Sequence, residues 1–188
     1  MLQFAGAVLN GGKSSRMGTD KSVIKFNGGR LIDVSLDILI EAGAEQVLII
    51  GGDETVADQS PNVAYLEDLY PNEGPLGGVI TALTFSKFEV VAILACDHMY
   101  LTADILLQCL SGLDGYEISC PKSNGTKQVL CSMWRRSTLP KLTQSYESGN
   151  RSVMNVIQEL ECKTFEVADT KLLRTANTPE ELSDSTIM

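Results

Sequence analysis

Long apolar runs are missing from this chain: the longest, Val90 to Cys96, is too short to cross a bilayer. Histidine is nearly absent. His98 stands alone among 188 residues, which argues against a His-rich metal site and a Ser/His/Asp triad and leaves at most a lone general base. Cysteine is sparse and unpatterned. Cys96, Cys109, Cys120, Cys131 and Cys162 are an odd number, spread out with no CxxC pair, so neither a disulfide framework nor a zinc cluster is written here. Metal ligands, if any, are carboxylates. Only 6 prolines occur, with no repeat, low-complexity tract or Pro/Ser linker, and no basic segment precedes the first apolar stretch. A cytoplasmic protein is the expectation.

What is present is ordinary globular composition, 44% apolar and 21% charged, at a length that suits one domain. The net charge of −9 repels nucleic acid and anionic membranes, so neither is an expected partner. Its distribution is uneven. Residues 1 to 30 hold Lys13, Arg16, Lys21, Lys25 and Arg30 against Asp20 alone, a local balance of +4 that leaves −13 for the remainder. A cation cluster is ordinarily a solvated face; the glycines around this one point elsewhere.

The apolar pattern predicts buried strands at Phe4 to Leu9, Val47 to Ile50, Val63 to Leu66 and Val90 to Cys96, the last apolar on both faces as a central parallel strand requires. Helical spacing recurs from Ile32 through Leu36, Leu39 and Ile40, stopping at Gly43, and again from Pro75 through Leu76, Val79, Ile80 and Leu83. Thr102 is placed to cap a helix running to about Leu110. Strands are expected near Glu117 to Cys120, Gln128 to Met133 and Thr164 to Val167, and helices near Ser137 to Tyr146 and Ser152 to Leu160. Thr178, Pro179 and Glu181 form a capping box that starts a short final helix. The alternation predicts an α/β fold: a single-domain, Rossmann-like, three-layer structure with a mainly parallel central sheet.

Two segments carry chemistry. LNGGKSSRMGTDK, Leu9 to Lys21, follows the first strand. Gly11 and Gly12 let backbone N–H groups approach an anion, Ser14 and Ser15 donate hydrogen bonds, and Lys13, Arg16 and Lys21 bring positive charge, which together describe a phosphate cradle. It matches neither the P-loop nor the dinucleotide fingerprint. Asp97 ends the strand VVAILACD, so its carboxylate faces the crevice at the carboxyl ends of the strands, where it either caps a turn or holds a magnesium-bound phosphate. Proximity to the cradle favours magnesium. Asp68, in LEDLYPNEGPLGG, ends another strand on the same edge and is placed to hold a ribose hydroxyl or a second metal contact.

In this order, LNGGKSSRMGTDK, LEDLYPNEGPLGG, ACDHMYL, GNRSVMNVI and NTPEEL resemble the MobA-like nucleotidyltransferases, the molybdenum cofactor guanylyltransferases, over nearly the whole chain. The resemblance implies transfer of GMP from GTP to molybdopterin cofactor with Mg²⁺, releasing pyrophosphate. It also implies transient contacts with cofactor-synthesis or acceptor proteins. By position, Leu9, Asn10 and Gly11 resemble the family's nucleotide-contacting loop, with Gly12, Lys13 and Ser14 continuing it. Lys21 matches its phosphate-binding lysine, Asp68 a GTP-contacting residue and Asp97 the magnesium ligand. Departures are Asn10 for the alanine of LAGG, Gly52 where some members have a GTP-contacting asparagine, Met99 for the proline of CDxP, and Val129 for a proline.

Gly11, Gly12 and GPLGG resemble the guanine users rather than the CTP users of the family. Arg16 and Lys21 are expected to stabilise the leaving pyrophosphate. No protein base is needed, since a terminal phosphate with a second pKa of about 6 is already mostly dianionic at neutral pH; His98 is accordingly read as structural. Gly149, Asn150 and Arg151 precede a helix and offer either a site for the second substrate's phosphate or pterin edge or a plain solvent face. Asn177 reads as a turn residue. The competing functions are a CTP-using molybdopterin cytidylyltransferase, a sugar-phosphate nucleotidyltransferase, and a non-catalytic nucleotide-binding carrier of the cofactor.

Overall fold

A computed structural model of the chain describes residues 2–11, 24–57 and 61–176. In chain order the elements are β1 (Ala5–Leu9), β2 (Lys25–Phe26), β3 (Gly29–Arg30), α1 (Leu31–Glu41), β4 (Gln46–Ile50), β5 (Val63–Leu66), α2 (Pro75–Phe85) and β6 (Val90–Ala95). There follow α3 (Ala103–Ser111), β7 (Ile118–Ser123), β8 (Thr126–Lys127), β9 (Cys131–Arg135), α4 (Leu139–Glu147), α5 (Val153–Val156) and β10 (Cys162–Glu166).

The main sheet has the order β10-β7-β9-β6-β1-β4-β5, with β8 folded back on β7. Six of these strands run parallel; β9 alone in the path runs against its neighbours β6 and β7. The strands buried on both faces are the continuous apolar runs: β1 is wholly buried, and β6 is buried from Val90 to Leu94. One face packs Phe4, Val8, Ile49, Ala92 and Leu94 under α1 and α3. The other packs Ala7, Leu48, Ile50, Val91, Ile93 and Trp134 under α2, α4 and α5. Three layers result. No helix among the described residues is long and apolar enough to cross a membrane.

The expected strands and helices are found where the apolar periodicity placed them, with shifts at the ends. The helix expected over Ser152 to Leu160 is one turn of α-helix, Val153–Val156, continued as 3₁₀ helix over Ile157–Glu159. Ser152 caps that turn by accepting from the Asn155 amide. Thr102 sits at the start of α3 but its side chain makes no capping bond. Two hairpins turn on Asn-Gly pairs, Asn27–Gly28 between β2 and β3 and Asn124–Gly125 between β7 and β8, all four residues at positive φ. The helix expected at Thr178 to Glu181 lies outside the described residues.

Candidate active site

The carboxyl ends of β6, β1, β4 and β5 stand side by side, and the chain leaves each of them through residues the sequence marks. The ladder runs one step beyond the strands. The Asn10 amide donates to the Ile50 carbonyl at 2.9 Å, Gly51 to Leu66 at 2.9 Å, and Cys96 to Leu9 at 3.3 Å. Asp97, following Cys96, is thereby set beside the loop that leaves β1. Gly51 is wedged between two of the other tips: a Cβ on it would lie 3.6 Å from Asp68 Cβ and 3.8 Å from Gly11 Cα. Leu9, Asn10, Gly11, Gly52, Asp68 and Asp97 therefore share one rim, at the end of an open parallel sheet where ligands bind. Gly12, Lys13, Ser14, Ser15, Arg16 and Lys21 lie outside the described residues.

Gly52 has φ +70°, and a Cβ there would come within 2.3 Å of both Asn10 Nδ2 and the Asn10 carbonyl oxygen. No side chain fits without moving the loop after β1. The absence of an asparagine at this position thus has a steric cause within this chain. The glycines of GPLGG serve close approach as well: a Cβ on Gly77 would lie 2.7 Å from Tyr70 Cβ, and one on Gly78 3.1 Å from Leu9 Cδ2. They let the first turn of α2 press against the rim.

Asp68 is fixed through one oxygen. Its Oδ1 accepts from the Tyr70 amide at 3.0 Å and stands 2.8 Å from Thr81 Oγ1, which itself accepts from the Leu69 amide at 3.1 Å. Thr81, buried in α2, thus orients the carboxylate from across the loop. Strands lie about 4.8 Å apart, and Asp68 and Asp97 leave strands separated by β1 and β4.

Asp97 is held by a segment far along the chain. The Ala176 amide donates to its carbonyl at 2.8 Å, the Met99 amide donates to the Arg174 carbonyl at 3.2 Å, and His98 pairs with Thr175 in an antiparallel bridge. Asp97 Oδ1 is itself buried. His98 is 2% exposed and its Nε2 donates to the Leu130 carbonyl at 3.1 Å, which leaves Nδ1 as the unprotonated nitrogen. Burial pushes the His98 pKa down, more than the Leu130 bond and the Asp97 charge push it up. The imidazole is neutral and serves the fold.

Asn150 and Arg151 are both engaged. The Asn150 side chain donates to Ser145 Oγ at 3.0 Å and accepts from the Ser152 amide at 2.9 Å. Arg151 donates through Nε to Glu73 Oε2 at 2.6 Å and through a terminal nitrogen to the Tyr146 carbonyl at 2.6 Å, and its guanidinium lies 3.8 Å over the Tyr146 ring. The hydrogen bond and charge from Arg151 hold the Glu73 carboxyl below its usual range. Tyr146 in turn packs on Tyr70, with ring centroids 4.3 Å apart. This cluster ties the C-terminal half to the loop between Asp68 and α2. Sequence reading missed Tyr70, Glu73, Thr81 and Tyr146: Thr81 and Glu73 find partners 13 and 78 residues away, and the packing of Tyr70 on Tyr146 has no local pattern.

The profile of the MobA-like NTP transferase domain matches residues 6–163. A Nostoc sp. protein named "Probable molybdenum cofactor guanylyltransferase" is 28% identical, the alignment covering 97% of this chain and 90% of the relative. One of the same name from Carboxydothermus hydrogenoformans is 31% identical over 74% of this chain and 70% of its own. Among solved structures, molybdopterin-guanine dinucleotide biosynthesis protein A from Archaeoglobus fulgidus superposes with a TM-score of 0.78 at 20% identity, covering 96% of each chain, and so shares the fold.

Proposed function

The chain belongs to the MobA-like NTP transferase domain family, a family of nucleotidyltransferases, and from that premise we propose that it transfers GMP from GTP to molybdopterin cofactor, releasing pyrophosphate. The observation that carries the reading is the shared rim, where Asn10 and Gly11 after β1, the Gly51–Gly52 turn, Asp68 and Asp97 gather at adjoining strand ends. The guanylyltransferase names of the relatives support the choice of reaction.

In this reading the triphosphate lies toward Asp97 and the nucleoside toward Gly52 and Asp68. Asp68 takes a ribose hydroxyl. Among the described residues no three His, Cys, Asp or Glu side chains gather. A lone carboxylate at the rim fits Mg²⁺, which binds through one or two carboxylates plus phosphate oxygens and water rather than in an all-protein cage. When bound there, the ion offsets charge on the phosphates. Arg16 and Lys21 stabilise the leaving pyrophosphate. The nucleophile is a phosphate already ionised at neutral pH, which agrees with a neutral, buried His98. The remaining work is alignment and electrostatics. Molybdopterin binds on the side of Tyr146 and Arg151, across the loop that joins Asp68 to α2.

Pyrophosphate release tests the reaction. With purified protein, Mg²⁺ and molybdopterin, GTP gives turnover and CTP gives little. Equal or faster turnover with CTP sinks the guanine assignment, and none with either nucleotide favours the carrier.

A further inference from the structure

Among the described residues the Asn10 carboxamide takes no part in holding the fold. The residue is 4% exposed, and among the described residues neither Nδ2 nor Oδ1 has a hydrogen-bond partner. Burying an amide that gives up water and gains nothing works against folding, and a methyl group would fill the position without that penalty. Room for the carboxamide exists because residue 52 has no side chain: Nδ2 stands 2.3 Å from where its Cβ would be. Gly52 is exposed on the rim, its carbonyl accepting from the Tyr65 hydroxyl at 3.2 Å, and Gly11, next to Asn10, is exposed as well. The orphaned amide therefore lies directly against the surface that a nucleotide would cover.

A carboxamide is one donor group beside one acceptor. A phosphate offers acceptors only and leaves Oδ1 unmatched; a metal ion takes Oδ1 and leaves Nδ2 unmatched. The sugar-side edge of guanine sets the 2-amino donor beside the N3 acceptor and matches both. Asp68, near Gly51 on the same rim, takes the adjoining sugar in the reading above, and the base edge nearest the sugar is this one. We propose that Asn10 reads the guanine base, its side chain turning outward so that Oδ1 accepts from the 2-amino group and Nδ2 donates to N3. The inference rests on the guanylyl-transfer reading and adds to it the side chain that selects the base.

Calorimetric titration of the whole chain with GTP, inosine triphosphate (which lacks the 2-amino group) and 2′-deoxy-GTP, each with Mg²⁺, tests it on wild type, Asn10→Ala and Asn10→Asp. Wild type should prefer GTP to inosine triphosphate on the order of ten- to a hundredfold, the scale of one bidentate base contact. Asn10→Ala should bind the two alike, and Asn10→Asp, which keeps the acceptor but loses the donor, should bind GTP more weakly than wild type. Without nucleotide, Asn10→Ala should melt no lower than wild type. A wild type that does not bind GTP overturns the transfer reading and this inference with it. A wild type that binds GTP while Asn10→Ala keeps the same preference over inosine triphosphate overturns the inference alone. So does a lower melting point for the ligand-free alanine variant, which would give the amide a structural partner, or a loss that follows the 2′-hydroxyl instead of the 2-amino group.

Discussion

The two halves of the sheet differ in how far their larger polar side chains are engaged. Around β1, β4 and β5, among the described residues, the Asn10 side chain has no partner and Asp68 is held through Oδ1. Around β7, β9 and α4 the charged side chains are committed, although Ser119 Oγ in β7 is buried without a partner among the described residues: Arg135 donates to the Tyr116 and Leu113 carbonyls, Glu117 takes Lys141 and the Glu161 amide, and Arg151 takes Glu73 and Tyr146. An unmatched polar group inside a protein costs stability; Ser119 is a single small hydroxyl within a strand, whereas Asn10 leaves a whole carboxamide unmatched at the binding rim. The committed half is scaffold that reaches the rim through Arg151.

If that contrast is sound, removing a rim side chain should cost activity and little stability, whereas removing an engaged one in the other half should leave the nucleotide step alone. The largest effect is expected from Asp97→Ala, with pyrophosphate release falling by about 10²–10³-fold, the scale for removing one preorganised electrostatic contact, while the melting temperature barely moves; near-normal rates would refute the metal assignment. Gly52→Ala, forced into positive φ against Asn10, should lose about 2 kcal/mol in urea unfolding, and a variant as stable as wild type would mean the rim adapts freely. A smaller change follows from acid. Because burial depresses the His98 pKa, the unfolded chain binds that proton first as pH falls below about 6.5. Stability should therefore decline from there toward the lower folded value, by at most about 1.4 kcal/mol per pH unit. His98→Asn should remove that part of the slope in paired unfolding curves. The smallest effect belongs to Arg151→Ala, whose exposed ion pair is worth about 1 kcal/mol or less. Its nucleotide KM should stay unchanged and its molybdopterin KM should rise, and a rise in the nucleotide value instead would redraw the boundary between the halves.

The parts of this arrangement legible in sequence are those written locally. Val90 to Leu94 is apolar at every position, which only a strand covered on both faces explains, and a carboxylate at its end falls on the binding edge by the rule for open parallel sheets. Strand direction is not written locally: Cys131–Arg135 has the burial of any central strand, and nothing in it says that it runs against β6. The Asn27–Gly28 and Asn124–Gly125 hairpins were readable from their turn residues, but two-residue strands give no alternation to confirm them. Asp68 was legible as a strand-end acid; the Thr81 hydroxyl that orients it was not, because threonine within an apolar helix face carries no sign of its partner. The clasp of Arg174 to Ala176 on Asp97 to Met99 joins segments some 75 residues apart and belongs to the same class.

The reversed strand β9 also bears on how the molecule assembles. Until it arrives, β6 presents one long edge of unpaired amides and carbonyls in the most apolar segment of the chain, and β7 has no neighbour through which to join the sheet. A chain interrupted between Ala95 and Cys131 would carry most of the rim yet expose a sticky seam down its middle. Nascent or truncated forms of that length should self-associate, because these five residues are what join the two half-sheets into one.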